Sequence, residues 1–184
     1  MDSKKTGIEV RNLSYSYPDG KKALDGVNLE AAPSSRLVLA GPNGSGKSTL
    51  LLHLNGLLDG PGEISIAGLR RTRRNMGKIR KIIGYLFSQV EYQFIMPDLL
   101  NDVMLSVPDD VSDINRRKDL AMDWLERLGL EDFAGRSPLE LSSGEMKRAA
   151  LAGILAGEPE VILMDEPLNN LDRKSSMQLM DILN

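Results

Sequence analysis

The chain has 184 residues, with 23 Lys and Arg against 26 Asp and Glu, a formal net charge of -3, one histidine and no cysteine. The length suits one domain with a real core, and the charge balance excludes a nucleic-acid binder driven by bulk positive charge. Disulfides and thiolate metal sites are excluded, no run is apolar and long enough to span a bilayer, and nothing after Met1 reads as a signal peptide. A role at a membrane therefore needs a partner that holds the chain there.

In chain order, Ile8 to Leu13 alternates apolar and polar residues and is predicted to be a half-buried strand. Pro18-Asp19-Gly20 is a turn, with φ fixed at proline and left-handed geometry tolerated at Asp and Gly; it leads to a second strand from about Ala23 to Leu29. Tyr17, beside the turn, is either a strand-packing side chain or an aromatic face for a purine ring. The apolar run Arg36-Leu37-Val38-Leu39-Ala40 is predicted to be a buried strand.

Gly41-Pro42-Asn43-Gly44-Ser45-Gly46-Lys47-Ser48-Thr49 fits G-x-x-x-x-G-K-[ST], and Leu50 to Leu54 continues it as a helix. Amides at a helix start lack intrahelical partners and favour an anion, and glycines let the backbone curl around phosphate oxygens. Lys47 is placed to face the β- and γ-phosphates and the Ser48 hydroxyl to ligate Mg²⁺. Asn55-Gly56 closes the helix. His53 lies inside it and reads as a packing or surface residue rather than a catalytic one.

Glu63 to Ala67 alternates as an antiparallel strand, Arg70 to Lys81 reads as a solvated basic loop and helix face, and Ile82 to Phe87 as an apolar strand closed by Ser88-Gln89. Leu99–Leu105 and Asp113–Leu128 read as helices of an insertion, with Asp113 able to cap the second and Trp124 in the insertion's core. Ser142 and Glu145 have capping-box spacing ahead of a helix to Ala156; a well-capped helix and an anion site at Ser142, Ser143, Gly144 and Glu145 are both open readings. Val161-Ile162-Leu163-Met164-Asp165-Glu166 is a buried strand ending in two acids: beside a P-loop, Asp165 holds Mg²⁺ and Glu166 orients and deprotonates water. Leu171-Asp172 starts a last helix through Leu183.

In this order, Gly41–Thr49, Leu141–Glu145, Val161–Glu166 and Leu171-Asp172 resemble the Walker A, signature, Walker B and D-loop motifs of ABC-type ATPases. The resemblance runs from about Ile8 to the end, and the signature helix upstream of Walker B separates this family from other P-loop NTPases. Tyr-Pro-Asp-Gly from Tyr17, Leu52 to Leu57 and Tyr92-Gln93-Phe94 resemble the energy-coupling factor group, whose members drive uptake of metals such as cobalt and nickel, or of vitamins. The implied fold is α/β: a RecA-like P-loop NTPase core with an antiparallel β subdomain (1–87 and 157–184) and a helical insertion (about 88–156), lacking the C-terminal part of the family domain. The resemblance implies ATP and Mg²⁺ as ligands and Tyr17 as the adenine-stacking aromatic. It also implies ATP held head to tail between Asn43–Thr49 of one subunit and Ser142–Glu145 of a second, and a transmembrane transport subunit at the cytoplasmic face of the membrane. No nucleic-acid partner is expected.

Three departures accompany it. Ser143 stands where glycine is usual and requires a negative φ. The Q-loop glutamine aligns with Ser88, leaving Gln89 one place late as a ligand of Mg²⁺ and water. The switch histidine of the family would lie past Asn184, and His53 does not occupy its place. The alternatives are a soluble ABC ATPase acting on nucleic acid or ribosomes, and a nucleotide-binding module without turnover.

Overall fold

Alternation along the first strand sets the architecture of the amino-terminal half. The computed structural model describes residues 7–182 and divides into two compact units, one ending at Ile83 and the other starting at Gly84. Leu183, the expected end of the last helix, lies outside the described residues.

In the first unit, β1 (Ile8–Ser16) pairs antiparallel with β2 (Lys22–Ala31) and with β3 (Glu63–Ile66), which pairs with β4 (Leu69–Arg70), in the order β2-β1-β3-β4. Val10 and Leu13 are both buried although three residues apart. A strict alternation would turn one of them outward. The register shifts between them, and Asn12 takes φ 50 with its N–H donated 3.0 Å to Asn28 Oδ1. The bulge restores the buried face. The turn after Tyr17 forms as expected: Gly20 N–H donates to the Tyr17 carbonyl at 2.9 Å, Asp19 Oδ1 accepts from Lys21 N–H at 3.0 Å, and Gly20 has φ 85.

The run Arg36 to Ala40 departs from expectation. It lies outside both sheets of the described residues, with Leu37 53% and Val38 86% exposed. Apolar composition gives such a run a preference for burial, but a strand exists only where a neighbour offers matching N–H and C=O groups. No strand of the described residues pairs with this run.

Helices α1 (Lys47–Leu54) and α2 (Met76–Ile82) complete this unit. Gly56 closes α1 at φ 72, with Leu57 N–H bonded back to the Leu52 carbonyl at 2.9 Å. Most of the basic stretch Arg70–Lys81 is exposed, as read from the sequence, but Arg71 is not: its side chain is 7% exposed. Its guanidinium donates to the carbonyls of His53 (3.1 Å) and Leu58 (2.7 Å) and to Asp59 Oδ1 (2.6 Å). It ties the end of α1 to the loop that follows.

The second unit is mainly helical. Strand β5 (Ile83–Leu86) lies beside β6 (Val161–Met164) in a two-stranded sheet, and between them in sequence come α3 (Leu99–Ser106), α4 (Ile114–Arg127) and α5 (Ser143–Ala156); α6 (Arg173–Ile182) follows β6. Asp98 caps α3 and Asp113 caps α4 through side-chain oxygens, as expected for α4. Leu99, Val103, Ala121, Leu125 and Ala152 share one core from these three helices. Trp124 packs against that core with Arg127 over its ring at 4.9 Å. Gly84 lets α5 lie against β5, since a Cβ there would meet Ile154 Cγ2 at 2.3 Å.

The Arg71 bridge gives a direct test. Asp59 is almost fully exposed and its ion pair contributes little, but the two carbonyls lose a charged donor in Arg71→Ala, which should cost about 2 kcal/mol. Urea unfolding should show this shift, while Arg73→Ala, at an exposed position, should stay within about 0.5 kcal/mol.

Candidate functional site

The glycine loop of the first unit ends in Gly46, the N-cap of α1, at φ 93 and ψ 3. A Cβ there would lie 2.5 Å from the Ala23 carbonyl and 3.0 Å from Leu24, so only glycine fits beside β2. Gly46 has no side chain to cap α1, and the first turn carries no acid. The amides and dipole of a helix start favour negative charge there. Asn43, Gly44 and Ser45 are exposed, and Gly44 has φ 80. Lys47 folds back over the loop, donating from Nζ to the carbonyls of Gly41 (2.9 Å) and Pro42 (3.0 Å). Ser48 follows at the second position of α1.

Thr49 points elsewhere. It is buried, and its Oγ1 lies 2.9 Å from the Tyr17 hydroxyl, joining the turn after β1 to the P-loop helix. Tyr17 remains half-buried, with the Tyr15 ring edge-on at 5.1 Å. Tyr15 also meets His53 edge-on at 4.8 Å. His53 is fully buried, and because its Nδ1 sits 2.8 Å from the Thr49 carbonyl, that nitrogen carries the proton. Nε2 has no hydrogen-bond partner. Burial lowers the pKa of His53 from 6.5 and Arg71 acts in the same direction; the Thr49 carbonyl and Asp59 oppose them without overcoming burial. The packing role expected of His53 is what the structure shows.

In the second unit, β6 ends as expected, with two acids at its carboxyl end. Asp165 is buried, and its N–H donates 2.9 Å to the Leu86 carbonyl of β5. Burial, reinforced by the Asp165 charge, pushes the Tyr85 phenol far above its ordinary range, so it stays protonated beside the carboxylate. Glu166 is exposed, takes φ 49, and accepts from Asn169 Nδ2 at 3.0 Å. A non-glycine residue adopts that region only rarely. Ser88 and Gln89 are both exposed beyond β5, with Gln89 preceding a short 3₁₀ turn at Val90–Tyr92.

The start of α5 is a full capping box. Glu145 accepts from the Ser142 N–H (2.8 Å) and hydroxyl (2.6 Å), and its own N–H points back to the Ser142 oxygen at 3.4 Å. The Ser142 hydroxyl, then its N–H, hold the Glu145 carboxyl below the usual carboxylate range. Ser143 is helical with no positive φ, as its presence in place of glycine requires, and its Oγ donates to the Asn170 carbonyl at 3.2 Å. Gly144 is closely approached: a Cβ would meet Ser175 Oγ of α6 at 2.7 Å.

Sequence reasoning missed Lys147, which is buried on α5 and donates from Nζ to the carbonyls of Glu166, Pro167 and Asn169. The signal was present. Gly144, Lys147, Leu151 and Ile154 recur at helical spacing and all are buried, so a lysine in that stripe needs partners.

A family model described as ABC transporter matches residues 24–169. The chain belongs to the ABC transporter family. It is 41% identical over 184 residues to the energy-coupling factor transporter ATP-binding protein EcfA of Methanothermobacter thermautotrophicus, covering 96% of this chain and 58% of the relative. The EcfA protein of Carboxydothermus hydrogenoformans is 40% identical over 181 residues, covering 96% of this chain and 66% of the relative. Among solved structures, cbiO1 from Clostridium perfringens, part of the ABC transporter complex cbiONQ, superposes with TM-score 0.84 at 30% identity, covering 97% of this chain and 72% of that one. The MJ0796 cassette dimer in a post-hydrolysis state with ADP and Pi gives 0.85 at 30%, covering 96% of this chain and 81% of that one. The fold is thus a P-loop NTPase cassette and the chain an ABC-type ATPase, and part of the relatives' length lies outside it.

The buried histidine predicts a pH dependence. Its native pKa is lowered, so the unfolded chain takes up the proton first as pH falls through about 6.5, and stability declines from there downward. Urea midpoints at pH 7.5 and 5.5 should differ more in the unsubstituted protein than in His53→Gln.

Proposed function

We propose that this chain is the ATP-binding, ATP-hydrolysing subunit of an importer, acting as a head-to-tail pair beneath a transmembrane partner on the cytoplasmic face of the membrane. The carrying observation is the start of α1, opened by a left-handed glycine that no other residue replaces, with no acid in its first turn and Lys47 one step away. The relatives named EcfA and the cbiO1 neighbour favour a metal ion or vitamin as solute. We read the chain as a single cassette, with the core and antiparallel sheet in 1–87 and 157–184 and the helical insertion at about 88–156.

In this reading the amides of Asn43 to Thr49 take the phosphates, and Lys47 exchanges its two loop carbonyls for phosphate oxygens. Tyr17, fixed through Thr49, stacks on the adenine. Mg²⁺ takes oxygen ligands, one or two of them carboxylates, beside the substrate phosphates; in this reading the Ser48 hydroxyl, the Asp165 carboxylate and the Gln89 amide would hold it. When bound, it neutralises charge on the β- and γ-phosphates. Glu166 orients and deprotonates the attacking water. Ser142, Ser143, Gly144 and Glu145 meet the nucleotide of the second subunit, where the Glu145 carboxylate shares the helix end with phosphate.

A pocket lined by Met96, Pro97, Met104, Leu105, Ile114 and Arg117, with Tyr92 81% and Ile95 80% exposed, supports an apolar segment of the transmembrane partner docking on the second unit. No helix of the described residues is long and apolar enough to cross a membrane.

Lys47→Ala should weaken ATP binding roughly 10- to 100-fold, the equivalent of one or two charged hydrogen bonds, as read by fluorescent-nucleotide titration; unchanged affinity removes the P-loop assignment. Glu166→Gln should accumulate an ATP-bound dimer on size exclusion while abolishing phosphate release; normal turnover takes Glu166 out of the base role.

A further inference from the structure

We propose that Lys147 is a positioning residue for Glu166, holding the turn after β6 so that this carboxylate faces the reacting water. The proposal rests on the reading of Glu166 given above. Lys147 is 4% exposed on α5. Its Nζ donates to the carbonyls of Glu166 at 3.2 Å, Pro167 at 3.0 Å and Asn169 at 2.5 Å. An ammonium has three donors and no acceptor, so all of its capacity is spent on this one turn.

The turn needs such a clamp. Glu166 and Asn170 both sit at positive φ, 49 and 59. Backbone of this kind persists only where the surroundings over-determine it. The turn also bonds to itself, with Asn169 N–H donating to the Glu166 carbonyl at 3.1 Å and Asn169 Nδ2 to Glu166 Oε2 at 3.0 Å. Those bonds fix Glu166 relative to Asn169, and Ser143 Oγ of α5 adds one bond at the far side of the turn, to the Asn170 carbonyl at 3.2 Å. Lys147 anchors both to a helix packed into the core of the second unit. Burial lowers the lysine pKa while the Glu166 and Glu91 carboxylates raise it, and three carbonyl dipoles keep the site suited to a cation.

A lysine also suits the geometry. Three carbonyls converge on one point, which matches a compact ammonium better than the flat fork of an arginine. The same helix begins with Ser142–Glu145, so one rigid element carries both the signature motif and the clamp.

The test compares Lys147→Met, which keeps the stem and removes the donors, with Lys147→Gln, which keeps an amide donor. In the nucleotide-free chain, hydrogen exchange of amides at residues 166–172 should rise at least tenfold in Lys147→Met, less in Lys147→Gln, and not at all at residues 47–54. Phosphate release should fall about 10- to 100-fold in kcat for Lys147→Met, with partial recovery in Lys147→Gln, while fluorescent-ATP affinity stays within twofold. Unchanged exchange at 166–172 overturns the proposal alone. A loss of affinity matching the loss of kcat overturns it in favour of a general structural role. Absent turnover in the unsubstituted protein, or an Glu166→Gln variant that turns over normally, overturns the reading of Glu166 and the proposal with it. If neither variant folds, lysine ¹⁵N spectra of the unsubstituted protein decide: a slowly exchanging ammonium resonance supports the clamp, and its absence at neutral pH overturns it.

Discussion

The first unit depends on a helix that opens on a glycine rather than on a capping side chain. Helices α3, α4 and α5 each cap their first turn with an aspartate or serine oxygen. Helix α1 begins at a left-handed glycine instead. The dipole of such a helix start favours an anion. The surroundings hold this helix start in place: Gly46 is pressed against β2, Thr49 reaches Tyr17, His53 is buried against Tyr15, and Arg71 fastens the far end. The helix is pinned along its length, which fixes the direction in which its first turn points.

The second unit solves a different problem. A strand can bring a carboxylate to a point, but the chain must then leave the strand without losing that placement. Asp165 is still within the sheet's hydrogen bonding, through Leu86. Glu166 is not, and adopts a conformation that L-residues rarely take. Its fixity has to come from neighbours on α5, which is why a charged residue lies in a helix face otherwise made of glycine, alanine, leucine and isoleucine.

What was legible in the sequence was local chemistry. The glycine loop, the Pro-Asp-Gly turn, the caps of α4 and α5 and the two acids after an apolar run each state their geometry within a few residues. What was not legible joins distant positions. The bond between Tyr17 and Thr49 spans 32 residues, and the three bonds of Lys147 span 19 to 22. Arg71 looked solvated because its neighbours Arg73 and Arg74 are. The run Arg36 to Ala40 misled for the opposite reason: hydropathy reports a wish for burial, whereas a ladder depends on a second strand that the run itself cannot specify.

The folded-back Lys47 has a thermodynamic consequence. Its ammonium already makes two good hydrogen bonds to Gly41 and Pro42, so meeting a phosphate is an exchange of partners rather than a pure gain. The carbonyls it releases must find water. Ligands that offer only one oxygen return little more than was surrendered, whereas a polyphosphate chain compensates at several points at once, and the loop thereby favours long anions over short ones before any base is recognised.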